Sequence, residues 1–261
     1  MYAIGERING MFKDVGAAIR DRNPEPIQRL AKAQIAAGAQ ALDVNVGPAS
    51  ADPLGAMEWL VKTIREVTDA PLAIDTTKPD VMRRGLELAG PGSIINSTKG
   101  DQAQLDIFIP MAIEHDASLI ALTIDENGIP RDASGRGEIA LRVVAAAMEK
   151  GLPTDRLMID AVILPVNVTQ ATPGHVLEAI RNVKLLCEPP PKTVLGLSNV
   201  SQGTTQRRLL NRTYLVMALA AGLDAAILDV EDREMMDAMI AAEVLMNRAV
   251  YADDFLKAYR S

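Results

Sequence analysis

The hydrophobic pattern of the chain alternates eight short apolar runs with longer stretches in which apolar residues recur at helical spacing. Most of the runs are continuously apolar, as strands are when both faces of a parallel sheet are buried. The pattern therefore predicts eight parallel strands separated by helices. The runs cover residues 2–9, 41–47, 71–77, 92–98, 118–125, 157–164, 192–199 and 223–230.

The stretches between the runs carry the sequence signals of helix starts and ends. Asp52 and Thr172 each precede a proline, which predicts a capping side chain followed by a first-turn proline. Gly222 follows an apolar helical stretch, at the position where glycine commonly ends a helix. Capping is also expected of the polar residues that directly precede later helices, Thr77, Asp101 and Asp232.

Eight strand–helix units fill the 261 residues, and no linker rich in Gly, Ser or Pro interrupts them. Eight βα units in about 250 residues are typical of a (β/α)8 TIM barrel. The alternative is an open doubly wound sheet, which usually has fewer units and a glycine-rich first turn, and the sequence contains no G-x-G-x-x-G motif. We therefore predict a single α/β domain over residues 1–261, with a short extra helix in the first loop at 11–22.

Composition and charge exclude several classes of function. The net charge of −7 and the lack of a Lys/Arg run argue against nucleic-acid or anionic-membrane partners. The single cysteine excludes an intramolecular disulfide, and the two histidines do not form a metal-ligand pattern, so we expect no bound metal. Neither a signal pattern nor an apolar run of membrane-spanning length is present, which predicts a soluble cytoplasmic protein.

Polar residues end nearly every apolar run, and in a barrel these ends surround the active site. Helix capping is the ordinary role of such residues. However, Asp75 lies two residues before a better cap, and Asp160 precedes AVILPV, which does not begin a helix. A carboxylate at the mouth of an apolar barrel needs a hydrogen-bonding partner, so we expect both to contact a ligand. Two interpretations of Glu6 and Arg7 remain open: the residues contact a ligand, or they form a structural ion pair with each other.

The types of polar residue at the strand ends limit which reactions and ligands the site could support. No serine has a histidine partner in a recognisable context, and Lys78 and Lys99 are expected to face solvent, which leaves a Schiff-base aldolase weakly supported. Arg207 and Arg208 could meet a carboxylate-bearing ligand tail or simply be solvated in a first helical turn. The remaining carboxylates and amides suit a flat heterocycle with adjacent N–H donors, such as a pterin.

Six segments in chain order together resemble the pterin-binding methyltransferase family, and the resemblance extends over essentially the whole chain. They are IGERING, ALDVNVGP, IDTT, INSTKG, ILPVN and LGLSNVSQG. Within the family the resemblance is strongest to methyltetrahydrofolate:corrinoid protein methyltransferases. The folate domain of cobalamin-dependent methionine synthase shares some of these motifs, and dihydropteroate synthase is more distant. The resemblance implies a barrel that binds 5-methyltetrahydrofolate and passes its methyl group to Co(I) of a corrinoid.

The resemblance also implies roles for particular residues. Asp75, Asn96 and Asp160 are expected to hold the pterin ring. Asn199 is expected to contact the methylated ring nitrogen as the catalytic residue. The rest of the predicted substrate-binding set consists of Glu6, Asn9, Asp43, Asn45, Ser198, Gln202 and Arg207.

The corrinoid itself is expected on a separate protein, because this chain lacks the Asp-x-His-x-x-Gly motif of a base-off corrinoid domain. That protein is expected to dock transiently over the barrel mouth, and the family suggests a homodimer. The pathway is open between acetyl-CoA synthesis and an anaerobic demethylase system. Two other functions remain open: a pterin enzyme of the dihydropteroate synthase type, and a folate-binding subunit without catalysis.

Overall fold

Eight parallel strands pair in sequence order, and the last pairs with the first to close a barrel. The computed structural model describes residues 1–260. The strands are β1 (Tyr2–Asn9), β2 (Ala41–Asn45), β3 (Leu72–Asp75), β4 (Ile94–Lys99), β5 (Ser118–Leu122), β6 (Leu157–Asp160), β7 (Lys192–Gly196) and β8 (Ala225–Leu228). The predicted (β/α)8 barrel is confirmed.

Helices connect the strands, and each connection returns the chain to the amino-terminal end of the barrel for the next parallel strand. They are α1 (Lys13–Asp21), α2 (Pro24–Ala36), α3 (Pro53–Arg65), α4 (Pro79–Ala89), α5 (Gln102–Glu114), α6 (Ala133–Lys150), α7 (Thr172–Val183), α8 (Arg207–Ala221), α9 (Arg233–Leu245) and α10 (Phe255–Arg260). Helix α1 is the extra helix predicted in the first loop. Within the described residues, no helix is long and apolar enough to span a membrane.

The inner face of the barrel is built in layers because alternate residues of each strand point inward. One apolar layer fills the barrel centre with a residue from every strand: Ile4, Ala41, Ala73, Ile94, Ile120, Met158, Val194 and Ala225. Two positions further along each strand, the inward residues form the next layer, at the barrel mouth. A second, larger core packs the outward faces of the strands against the helices.

Three of the predicted helix caps are present. The side chains of Asp52, Asp101 and Asp232 accept hydrogen bonds from backbone N–H groups in the first turns of α3, α5 and α9. Gly222 ends α8 with a positive φ of 113°. These aspartates therefore satisfy helix N-termini.

The two threonine caps were wrong. Lys78, not Thr77, occupies the capping position of α4, because the residue before a first-turn proline takes an extended conformation outside the helix. Thr172 is the first residue of α7, after Ala171, and its hydroxyl donates to Thr169 Oγ1 at 3.0 Å. In α4 the proline is the first residue of the helix, whereas in α7 the threonine is itself the first residue and the proline is the second.

Candidate active site at the barrel mouth

A cavity of about 840 Å³ opens at the carboxyl ends of the strands. Its floor is the second inward layer of the barrel. Five floor positions carry carboxyl or amide groups, namely Glu6, Asp43, Asp75, Asn96 and Asp160. The other three floor positions are Leu122, Gly196 and Ile227. The floor therefore offers hydrogen-bonding groups from β1–β4 and β6, and small or apolar surface from β5, β7 and β8.

An irregularity in β1 accompanies the inward turn of Glu6. The pairing of β1 with β2 shifts register between Gly5 and Ile8, and Gln34 Oε1 accepts a hydrogen bond of 3.0 Å from the Arg7 N–H at this point. A Cβ on Gly5 would lie 2.4 Å from that same Gln34 oxygen. Glycine is therefore needed beside Glu6 so that the glutamine can occupy the space and satisfy the backbone.

Two amide–carboxyl pairs join β2 to its neighbouring strands. Asn96 Nδ2 donates to Asp43 Oδ1 at 2.8 Å, and Asn45 Nδ2 donates to Asp75 Oδ2 at 2.5 Å. Asn45 Oδ1 in turn accepts from the Gly47 N–H at 2.5 Å. Each amide fixes the orientation of a carboxyl group on the cavity floor, as supporting hydrogen bonds do in binding sites.

Asp160 lies at the end of β6 and is only 8% exposed. Its Oδ1 accepts from the Val162 N–H at 2.7 Å, and Val162 has a φ of 57°, a strained conformation for a β-branched residue. The buried Arg136 holds the same segment by donating to the Ala161 carbonyl at 2.8 Å. Burial raises the pKa of Asp160 to about 6, although the backbone N–H groups of Val162 and Gly196 lower it.

The loop after β7 forms one wall of the cavity. Ser198 and Asn199 lie in a 3₁₀ turn, Leu197–Ser201, and the Ser198 hydroxyl donates to Glu6 Oε1 at 2.9 Å. Arg207 braces the turn, since its Nε donates to Ser201 Oγ and its Nη2 to the Ser198 carbonyl, both at 3.2 Å. A Cβ on Gly196 would approach Asn199 Nδ2 to 3.0 Å, so glycine leaves room for this amide.

The floor carboxyl groups retain protons at a higher pH than ordinary carboxyl groups. Burial raises the pKa of Glu6 to about 7, with a further increase from the negative charge of Asp229. Burial, followed by repulsion from Asp75, raises the pKa of Asp43 well above its usual range, and burial raises the pKa of Asp75 itself. The cavity can therefore present both protonated and ionised carboxyl groups near neutral pH, which matches a ligand with mixed donors and acceptors.

Ten of the eleven residues predicted for the site line the cavity: Glu6, Asn9, Asp43, Asp75, Asn96, Asp160, Ser198, Asn199, Gln202 and Arg207. The eleventh, Asn45, lies behind Asp75 and orients it. The alternative ion pair between Glu6 and Arg7 is wrong. Arg7 instead pairs with Asp14 at 3.0 Å and lies 4.2 Å from the centre of the Phe12 ring. The binding and catalytic roles of these residues remain predictions.

Several cavity residues were missed by the sequence analysis. Asp229 ends the eighth apolar run, after β8, but was left out of the predicted substrate-binding set although it lines the cavity. Asn211 lies inside α8, is 8% exposed, and its Oδ1 has no hydrogen-bond partner among the described residues. No local pattern distinguishes it from a structural asparagine. Across residues 1–260, no three His, Cys, Asp or Glu side chains are grouped so as to hold a metal ion.

The fold and the cavity together define a class: a (β/α)8 barrel with a polar pocket where enzymes of this fold carry their active sites. Residues 14–229 match the family described as pterin binding enzyme. The chain therefore belongs to the pterin-binding enzyme family.

Individual relatives agree with this membership. The whole chain is 28% identical to the methylcorrinoid:tetrahydrofolate methyltransferase of Eubacterium limosum, and the match covers 96% of that protein. Over 87% of its length the chain is 31% identical to methionine synthase of Mycobacterium tuberculosis, and the match spans 20% of that longer protein. Dihydropteroate synthase from Clostridium difficile, solved with pteroic acid, has a TM-score of 0.70 at 18% identity, covering 94% of this chain and 96% of that one. This last likeness shows the shared fold.

Proposed function

We propose that this chain is a methyltransferase that moves the methyl group of 5-methyltetrahydrofolate to Co(I) of a separate corrinoid protein, reversibly, in one-carbon metabolism. The observation that carries the proposal is the set of five carboxyl and amide side chains on the cavity floor, in a chain similar over its full length to a methylcorrinoid:tetrahydrofolate methyltransferase. Acetyl-CoA synthesis and anaerobic O-demethylation are the pathways whose chemistry this transfer would serve.

Asp75, Asn96 and Asp160 bind the pterin ring in this proposal. A buried carboxylate accepts two parallel hydrogen bonds from the 2-amino group and the adjacent ring N–H, while an amide pairs with the ring edge in either direction. Leu122 and Ile227 supply apolar surface for the faces of the ring. Arg207 and Arg208 line the same cavity and suit the carboxylate-bearing tail of the folate.

Asn199 acts at the methylated ring nitrogen in this proposal. A tertiary amine is a poor leaving group until its nitrogen is protonated, so positive charge appears on that nitrogen before the C–N bond breaks. The Asn199 amide, held beside Gly196, stabilises that charge with its carbonyl oxygen, which is electrostatic preorganisation. Gln202 supports the same wall of the cavity.

The acceptor reaches the cavity on a partner protein. Exposed apolar side chains stand in the loops and first helical turns around the mouth, among them Met11, Val168 and Leu209. They offer apolar contact to a corrinoid protein that docks and leaves with each methyl group. A homodimer and a cytoplasmic location are part of the same proposal.

A dihydropteroate synthase-like condensation is the second candidate, favoured only by the shared fold. The two reactions use different substrates, so they can be separated by parallel assays. We expect protein-dependent conversion of 5-methyltetrahydrofolate in the presence of reduced cobalamin, and no product from a pterin pyrophosphate and p-aminobenzoate. The opposite pattern would overturn the proposal, and folate binding with neither product would indicate a folate-binding subunit.

A further inference from the structure

The carboxyl groups on the cavity floor differ in what donates a hydrogen bond to them. Asp43, Asp75 and Asp160 each accept from an N–H group, whereas Glu6 accepts from the hydroxyl of Ser198 at 2.9 Å. The N–H donors are Asn96 Nδ2, Asn45 Nδ2 and the backbone of Val162, respectively. Glu6 therefore differs from the three aspartates in having a hydroxyl group as its hydrogen-bond donor.

A hydroxyl group can donate a hydrogen bond to an ionised carboxyl group and can accept one from a protonated carboxyl group. An N–H group can only donate. Ser198 Oγ donates to Glu6 when the carboxyl is ionised and can rotate to accept from it when the carboxyl is protonated. A proton can therefore leave Glu6 and return without breaking the contact. The N–H partners of the three aspartates instead favour carboxyl oxygens that accept a hydrogen bond and carry no proton.

The charges that face Glu6 come from each element packed against it. Asp229 at the end of β8 is negative, while Arg207 of α8 and Arg7 of β1 are positive. Asp43 of β2 is also close enough to interact with it. Burial dominates over these contributions and raises the pKa of Glu6 to about 7, so the group exchanges its proton near neutral pH.

Glu6 is also joined to the residue proposed to act at the methylated nitrogen. Ser198, which contacts Glu6, directly precedes Asn199 in the same 3₁₀ turn. Glu6 and Asn199 both line the cavity. One short turn therefore carries both the hydrogen-bond partner of Glu6 and the amide proposed to act at the methylated nitrogen.

We propose that Glu6 supplies the proton that converts the methylated ring nitrogen into a leaving group, an inference that rests on the proposed methyl transfer. The proton passes from the Glu6 carboxyl to the nitrogen lone pair. The electron pair of Co(I) then forms the Co–C bond as the C–N bond breaks, and the electrons of that bond return to nitrogen, which remains as N–H. Cobalt is formally oxidised to methyl-Co(III), and water reprotonates Glu6.

The test is the single-turnover rate of methyl transfer to chemically reduced free cobalamin between about pH 5.5 and about pH 8.5. In the wild type we expect the rate to fall as the pH rises through about 7. Glu6→Gln should lower the low-pH rate by about 10²-fold or more and flatten the profile, with the folate Kd within about 2-fold of wild type. Glu25→Gln, an exposed change at the start of α2, is the matched control and should change neither.

Two neighbouring variants should move the midpoint of the profile in opposite directions. Ser198→Ala removes a hydrogen bond that lowers the pKa of Glu6, so the midpoint should rise. Asp229→Asn removes a charge that raises that pKa, so the midpoint should fall. General structural damage would not produce opposite displacements. A wild-type midpoint retained in Glu6→Gln would overturn this inference alone, while absence of transfer in the wild type would overturn it together with the proposed function.

Discussion

Replacement of Asp160 by asparagine should weaken folate binding and stabilise the free protein. The pKa of about 6 for this carboxyl, against an ordinary value of 3.8, corresponds to about 3 kcal/mol of destabilisation when the group is ionised. The neutral Asp160 carboxyl makes its full contribution to the free energy of unfolding below about pH 4, and this contribution is lost as the pH rises through about 6. Asparagine cannot ionise and keeps an acceptor for the Val162 N–H, so it avoids most of this cost.

The expected gain at pH 7.5 is about 2 kcal/mol, or an increase in Tm of about 5 °C, and it should shrink as the pH falls toward 4. The affinity for folate should fall, because the variant loses one charge-assisted hydrogen bond to the ligand, which is worth about 1.5–3 kcal/mol. This loss corresponds to a Kd for 5-methyltetrahydrofolate about 10- to 150-fold higher.

Calorimetric titration and thermal unfolding measure the two effects on the same samples. Asp155→Asn is the control, because Asp155 is exposed just before the start of β6, at the opposite end of this strand. An unchanged Kd in Asp160→Asn would refute the role of Asp160 in binding. A lower Tm at pH 7.5 would refute the electrostatic reasoning.

Three further predictions concern other parts of the chain. Asn199→Ala should lower the methyl-transfer rate by more than it raises the folate Kd, measured by single turnover and by titration; equal losses would contradict a transition-state role. Asn211→Leu removes a buried oxygen that has no partner among the described residues, so the free energy of unfolding should rise by about 1 kcal/mol; lower stability would contradict this. Gly10→Ala places a Cβ 1.9 Å from the Val46 carbonyl oxygen and should cost about 1–3 kcal/mol in denaturant unfolding, whereas Gly137→Ala, with open space in α6, should stabilise by up to about 1 kcal/mol.

The barrel and most of the site could be predicted because strand geometry is regular. Side chains alternate along a strand, so the polar residue two positions after a central apolar residue must reach the mouth. Asp43 after Ala41, Asp75 after Ala73 and Asn96 after Ile94 follow this rule. The same rule gives Leu122 and Ile227, which a search for polar residues alone overlooked.

Contacts between distant parts of the chain could not be predicted in the same way. Ser198 and Glu6 are separated by 192 positions, and their contact depends on how the loop after β7 folds over β1. Asn211 was missed for a related reason, since only the packing of α8 decides which side of that helix reaches the cavity. The local pairing considered for Glu6 and Arg7 failed because Arg7 found a partner in Asp14 on α1.

Methyl transfer can be measured anaerobically by mixing 5-methyltetrahydrofolate with chemically reduced cobalamin and following the absorbance. We expect Co(I) to be lost and methylcobalamin to appear in equal amounts, only when the protein is present. Asp75→Ala should abolish this at low folate concentration and recover part of it at high concentration. If Co(I) stays intact at saturating folate, both with free cobalamin and with a purified corrinoid protein, this chain is not a methyltransferase of this kind.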